Sequence, residues 1–296
     1  MYSSCSLCPR NCQVNRTSGQ VGYCGMTATI QVARAALHMW EEPCISGTNG
    51  SGTVFFTGCN LKCVFCQNHA IAIGSKGKAI APEQLAELFL MLQEKGAHNI
   101  NLVTPSHYIP GIARALDIAK IRGLTLPIVY NTSGYDSAKA LGLLDGLIDI
   151  YLPDFKYVSG ELSKRYSHAP DYFEIAKLSL AEMFRQVGRP LFDNDLMKKG
   201  IIVRHLLLPG CVEDSKAVIR YLYETYGEHI FISIMNQYTP LPHVAAYREL
   251  NRKVTQAEYD ELVDFAIDLG VEQGFIQEGD TAQESFIPEF DFTGLL

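Results

Sequence analysis

TVFFTGCNLKCVFCQN, residues 53–68, joins a short apolar run directly to three cysteines, Cys59, Cys63 and Cys66, in a C-x3-C-x2-C array. The run TVFFTG is continuous and β-branched or aromatic, as a strand buried on both faces of a parallel sheet tends to be. The cysteines that follow it fall on the loop at the C-terminal end of that strand, where parallel α/β folds assemble their sites.

Reading outward, five further strand candidates follow at 100–105, 127–134, 149–156, 201–208 and 231–238. Amphipathic helical stretches alternate with them. Leu85, Leu88, Phe89 and Leu92 keep the i, i+3, i+4, i+7 spacing, with Pro82 suited to the first turn and Gly96 to the stop. Helical patterns recur at 109–122, 136–146, 171–187 and 214–226, and a last helix opens on a capping box, Thr255 with Glu258, and stops at Gly270. Six strand-then-helix units imply a parallel sheet, and we expect an α/β fold closed as a partial (β/α)6 TIM-like barrel. The expected organisation is a cysteine-rich N-terminal module over 1–50, the barrel over 51–240, and a C-terminal helix and tail over 241–296 that packs on the barrel.

Composition narrows the class. Of 296 residues 47% are hydrophobic and 19% charged, which is ordinary globular usage. With 25 Lys plus Arg against 32 Asp plus Glu the formal net charge is −7, and no basic block stands out, so neither nucleic acid nor an anionic membrane is an expected partner. No apolar run approaches the roughly 18 residues that span a bilayer, and the start MYSSCSLCPRNC is unlike a signal peptide, so a cytoplasmic location is expected. Nine cysteines in such a chain point to metal or redox chemistry rather than disulfides. Cys44 and Cys211 stand apart from the two clusters.

For the three-cysteine loop, a zinc knuckle would need a fourth ligand, with His69 the one nearby candidate. A cubane iron–sulfur cluster makes different use of three thiolates, since one iron is left open for an exchangeable ligand. At the N-terminus, Cys5, Cys8, Cys12 and Cys24 have C-x2-C-x3-C-x11-C spacing, enough for a closed zinc site or for a complete second cluster; zinc is preferred because no ferredoxin-like run accompanies them.

The C-x3-C-x2-C loop after a first strand, with aromatic Phe65 before the last cysteine, resembles the radical S-adenosylmethionine (SAM) superfamily. The stretch GSGTVFFTGCNLKCVFCQN is similar to the activases of glycyl radical enzymes, and CSLCPRNC, EEPCISG, NINLVTPSHY, YNTSGY, DIYLPDFKY, RHLLLPG and MNQY resemble the branch labelled pyruvate formate-lyase-activating-enzyme-like, or PflX. The resemblance implies an oxidoreductase with a 4Fe-4S cluster on Cys59, Cys63 and Cys66 and SAM on the open iron. It implies reductive cleavage of SAM to a 5′-deoxyadenosyl radical, hydrogen abstraction from a protein such as a glycyl radical enzyme, and an electron donor such as flavodoxin or ferredoxin.

The same resemblance assigns the later strand ends. Thr104, Ser106 and His107 stand where relatives carry a Gly-Gly-Glu for the SAM amino group, which is a departure from the pattern. Asn131, Thr132 and Ser133 stand where activases have Asp-Thr-Asn-Gly. Asp154 and Lys156 match an Asp-x-Lys that holds the SAM carboxylate and a nearby monovalent cation, while Arg204 and Gln237 match positions on the fifth and sixth strands. Two rival readings remain: a radical SAM enzyme acting on a small molecule or on another protein, and an electron-transfer or metal-binding scaffold.

Overall fold

The computed structural model describes residues 1–277 and 288–295. Its strands are β1 (Ile30–His38), β2 (Ser51–Phe56), β3 (Lys78–Ile80), β4 (Ile100–Val103), β5 (Ile128–Thr132), β6 (Ile150–Pro153), β7 (Leu191–Asp193), β8 (Leu196–Leu206), β9 (Phe231–Met235) and β10 (Gly274–Ile276). The helices are α1 (Pro43–Ser46), α2 (His69–Ala72), α3 (Pro82–Glu94), α4 (Ile109–Ile121), α5 (Ala138–Leu141), α6 (Gly160–Ser167), α7 (Tyr172–Val187), α8 (Val212–Tyr226) and α9 (Gln256–Leu269).

All six expected strands form, and they lie side by side in chain order as β2, β4, β5, β6, β8 and β9, every pairing parallel. β10 adds a parallel strand beyond β9, and β1 and β3 extend the other edge antiparallel. The sheet curves. Because alternate strand residues face one way, Phe55, Val103, Asn131, Asp154, Arg204 and Met235 are the inward residues of six successive strands or strand ends, and all six line one cavity. This is a mostly parallel α/β sheet of the partial-barrel kind.

Helices α3 and α4 cover the outer face with the predicted apolar stripes, Leu85, Leu88, Phe89 and Leu92 among the buried residues. Thr255 accepts from the Glu258 N–H and Gly270 closes α9 at φ 97°, as the capping signals require. The helix expected at 136–146 shrinks to α5 and a 3-10 turn at Gly142–Leu144, since Gly142 and Gly146 weaken helical propensity across that segment. α6 has no counterpart in the sequence reading.

β1 is likewise unpredicted, as are the short α1, α2, β3, β7 and β10. The β1 sequence IQVARAALH carries three alanines, of low β propensity, and a register shift between Val32 and Arg34, so tertiary pairing with β2 makes the strand. Below the cavity, α1 inserts Cys44 and Ile45 among inward-facing Val129, Ile150, Leu152 and Ile202, sealing the floor. Of the acidic tail, residues 288–295 pack along β1: the Phe292 N–H donates to Ala33, the Ala35 N–H donates to Thr293, and Phe290 meets Phe55 edge-on. The rest of the tail, 278–287 and 296, lies outside the described residues.

Candidate active site

β2 delivers the cysteine loop to the C-terminal rim. Gly58, at φ 89°, makes the turn, and a Cβ there would stand 2.4 Å from Met26 Cγ, so the N-terminal segment presses directly on the loop. Cys59 Sγ accepts the Leu61 and Lys62 N–H groups at 3.3 and 3.5 Å, and Cys63 Sγ accepts the Ser167 hydroxyl at 3.0 Å. Burial pushes the Cys63 thiol up to about 11 against the pull of Lys156, and it pushes Cys66 further, with Cys59 and Cys63 adding to the rise. Buried thiols of this kind surrender their protons to a metal rather than to water.

Facing them, Arg204 ties the strand ends together. It donates to Asp154 Oδ1 at 3.2 Å, Glu41 Oε2 at 3.1 Å and Asn131 Oδ1 at 2.7 Å. Lys156 Nζ lies 2.7 Å from Asp154 Oδ2 and 5.8 Å from the Phe65 ring centroid. Burial opposes ionisation of Asp154, but Lys156 and Arg204 outweigh it and hold the carboxyl below its ordinary range. Glu41 and Glu42, both pushed up by burial, also face Arg204, so two cations sit among three carboxyls in a buried network.

These groups share a cavity of about 360 Å³. Of the residues singled out from the sequence, Cys63, Phe65, Cys66, Asn131, Asp154, Lys156, Arg204 and Gln237 line it, and Cys59 is buried at the head of the same loop. Thr104, Ser106, His107, Thr132 and Ser133 do not line it. Ser106 and Thr132 hydroxyls meet at 3.3 Å, and Thr132 donates to buried Asp136 at 2.6 Å. His107 Nε2 is 2.8 Å from the Thr57 carbonyl, and the Ser133 carbonyl accepts the Tyr172 hydroxyl. Thr104 sits at φ 60°, a strained position for a β-branched residue, with its N–H donating to Asn131. Glu41, Trp40 and His38, not among the residues singled out from the sequence, also line the cavity. Glu41 stands in the EEPCISG block, and the adjacent acids before a proline were the available signal.

A sequence profile of the radical SAM superfamily matches residues 53–222, more than half of the chain, from β2 through most of α8. The chain belongs to the radical SAM superfamily. It is 27% identical over 277 residues to an uncharacterized protein of Methanocaldococcus jannaschii, with 90% of this chain and 75% of that one covered. Among solved structures it resembles SuiB of Streptococcus suis bound to S-adenosylmethionine, at a TM-score of 0.52 and 14% identity over 75% of this chain and 48% of that one. HydG, a maturase of the FeFe hydrogenase, gives a TM-score of 0.51 at 14% identity over 77% and 52%. The chain spans about half the length of those solved structures, and the likeness is one of fold.

Radical SAM membership implies a 4Fe-4S cluster and SAM, and the donor set fits the cluster. Among the described residues no three His, Cys, Asp or Glu side chains gather tightly enough to share one metal ion. The loop offers three thiols, Cys59, Cys63 and Cys66, the number that would hold a cubane with one iron left open. At the N-terminus Cys5 and Cys24 are buried, Cys8 and Cys12 half-buried, and burial pushes Cys8 up to about 12 with the other three sulfurs adding to it. No helix among the described residues is long and apolar enough to cross a membrane.

Proposed function

We propose that this radical SAM enzyme is a glycyl-radical-enzyme activase of the PflX-like branch, abstracting hydrogen from a glycine Cα of a protein partner. The observation that carries this reading is the cavity itself. Its lining joins Cys63 and Cys66 to Asp154, Lys156 and Arg204, with apolar Phe55, Val103, Leu206 and Met235 among them. A volume of about 360 Å³ suits one nucleoside-sized cofactor, so a backbone segment would reach it from the rim, and the apolar part of the lining keeps water from a reactive radical.

Cys59, Cys63 and Cys66 would hold a 4Fe-4S cluster, which would supply the electron for reductive cleavage of SAM. The protein residues bind and orient. Lys156 offers an ammonium to the SAM carboxylate, and Asp154 holds that ammonium in place, with a monovalent cation completing the charge balance. Asn131 presents its side-chain amide to ribose hydroxyls, and Arg204 keeps Asn131, Asp154 and Glu41 in fixed relation. Gln237, whose carbonyl accepts from Gln67 at 2.9 Å, braces the cysteine loop against β9. An electron donor such as flavodoxin or ferredoxin is the second partner, and Cys5, Cys8, Cys12 and Cys24 form a further metal site, zinc or a second cluster.

The test mixes anaerobically reconstituted protein, SAM and reductant with a glycyl radical enzyme and follows the glycyl signal by electron paramagnetic resonance. A radical on the partner is expected. 5′-Deoxyadenosine formed with no radical on any such partner would move the substrate to a small molecule or another protein, and no 5′-deoxyadenosine at all would favour the scaffold.

A further inference from the structure

The three loop sulfurs are not equivalent. Cys59 Sγ receives backbone N–H groups, but Cys63 Sγ receives a side-chain hydroxyl, that of Ser167, at 3.0 Å. Ser167 is fully buried, and its Oγ lies 2.9 Å from the Tyr157 hydroxyl, itself buried. A ligating thiolate has no proton to give, so Ser167 must donate to the sulfur. A serine hydroxyl has only one proton, so Tyr157 must then donate to Ser167. The direction of both bonds follows from that proton count.

The placement is built from both sides. Ser167 ends α6, whose last carbonyls need outside donors. Val64, in the cysteine loop, gives its N–H to the Tyr166 carbonyl at 2.8 Å. Arg10, between Cys8 and Cys12, donates to the Ser167 and His168 carbonyls at 3.2 and 2.6 Å and to the Asn60 carbonyl at 2.8 Å. The Arg10 guanidinium also lies 4.0 Å from the Tyr23 ring centroid. One helix end is thus capped jointly by the cysteine loop and the N-terminal segment. A serine in a last helical turn ordinarily bonds back to its own helix; this one is turned onto a sulfur.

We propose that the Tyr157–Ser167 pair sets the reduction potential of the cluster held at Cys63. The inference rests on the cluster assignment above. Hydrogen bonds to a cluster sulfur favour the more negative, reduced state and so raise the potential. Both residues act through Cys63 and neither lines the cavity, which makes them positioning residues.

The experiment is a mediated redox titration of reconstituted full-length protein without SAM, followed by electron paramagnetic resonance, with iron counted in each sample. Ser167→Ala is expected to lower the potential by about a tenfold change in the reduced-to-oxidised ratio at fixed poise, which is 59 mV for one electron. Tyr157→Phe should move it the same way by less, and Ser167→Thr, which keeps the hydroxyl, should restore the parent value. Unchanged potentials in Ser167→Ala and Tyr157→Phe, at about four irons per chain, overturn the proposal while leaving the cluster in place. A Ser167→Thr potential as low as that of Ser167→Ala overturns it as well. If Ser167→Ala fails to hold iron, Tyr157→Phe decides alone. A parent protein that binds no cluster overturns the assignment beneath it.

Discussion

Cys59, Cys63 and Cys66 hang from the end of a buried parallel strand, whereas Cys5, Cys8, Cys12 and Cys24 lie in a segment whose one regular element before β1 is a 3-10 turn at Arg16–Ser18. The first group inherits its order from the sheet. The second is ordered around Arg16, a fully buried cation that donates to the carbonyls of Met26, Thr27 and His107 and lies 4.8 Å from the Tyr2 ring centroid. The difference teaches that a cysteine cluster borne by a fold can be built for chemistry, while one without a sheet needs a second source of order, here an arginine bonded to three backbone carbonyls.

The largest expected effect separates the two groups at once. Cys63→Ala removes one of three ligands from a site with none to spare, so cluster content and SAM cleavage should both be lost, read as iron per chain and 5′-deoxyadenosine. Undiminished cleavage would sink the assignment of the loop as the cluster site.

Lys156→Ala comes next. The Lys156 side chain is 12% exposed, and charge-assisted hydrogen bonds in such surroundings contribute about 1.5–3 kcal/mol. SAM should bind roughly 10- to 150-fold more weakly at unchanged iron content, measured by equilibrium dialysis. An unaltered dissociation constant would leave Asp154 and Lys156 as a plain structural ion pair.

Much of this barrel was legible from residues. Each parallel strand announced itself as an apolar run, and period-two alternation then carried Asn131, Asp154 and Arg204 to the same interior. What escaped was set by partners distant in sequence. β1 reads as alanine-rich and becomes a strand through β2; Glu41 reads as a surface acid and is buried because Arg204, Asn101 and Asn131 meet it inside. Ser106, Thr132 and His107 are polar at strand ends, as a cofactor rim would be, yet Asp136 and the Thr57 carbonyl engage their side chains in the described structure. Sequence spacing gives the side of a strand, not the competition for a hydrogen bond.

Acid should probe the seam between the two regions. Burial lowers His107 to about 3 and His205 to about 4, from an ordinary 6.5. The unfolded chain therefore binds more protons than the folded one below pH 6.5. Stability should be full above that pH and fall as the pH drops toward 4, by up to about 1.4 kcal/mol per pH unit for each histidine. Denaturant unfolding of the parent and of His107→Gln checks this, the variant losing part of the slope. An equal slope in both would show that His107, whose carbonyl accepts from Arg16, does not titrate on unfolding.

The smallest effect on the barrel should come from the other cysteines. Cys8→Ala with Cys12→Ala leaves Arg10 between them and Arg16 beyond, so the loop at Asn60 and the end of α6 keep their bonds. Iron in the reconstituted barrel should stay at about four per chain, while aerobically purified parent should carry about one zinc that the variant lacks. The absence of a ferredoxin-like run favours zinc, while four neighbouring thiols, each close enough to raise the next, would equally hold a complete cubane. Elemental analysis weighs one against the other. Loss of a further four irons in the variant, with no zinc in either protein, would make the N-terminal segment a second cluster site, and the contrast between the two regions would then be one of support rather than of metal.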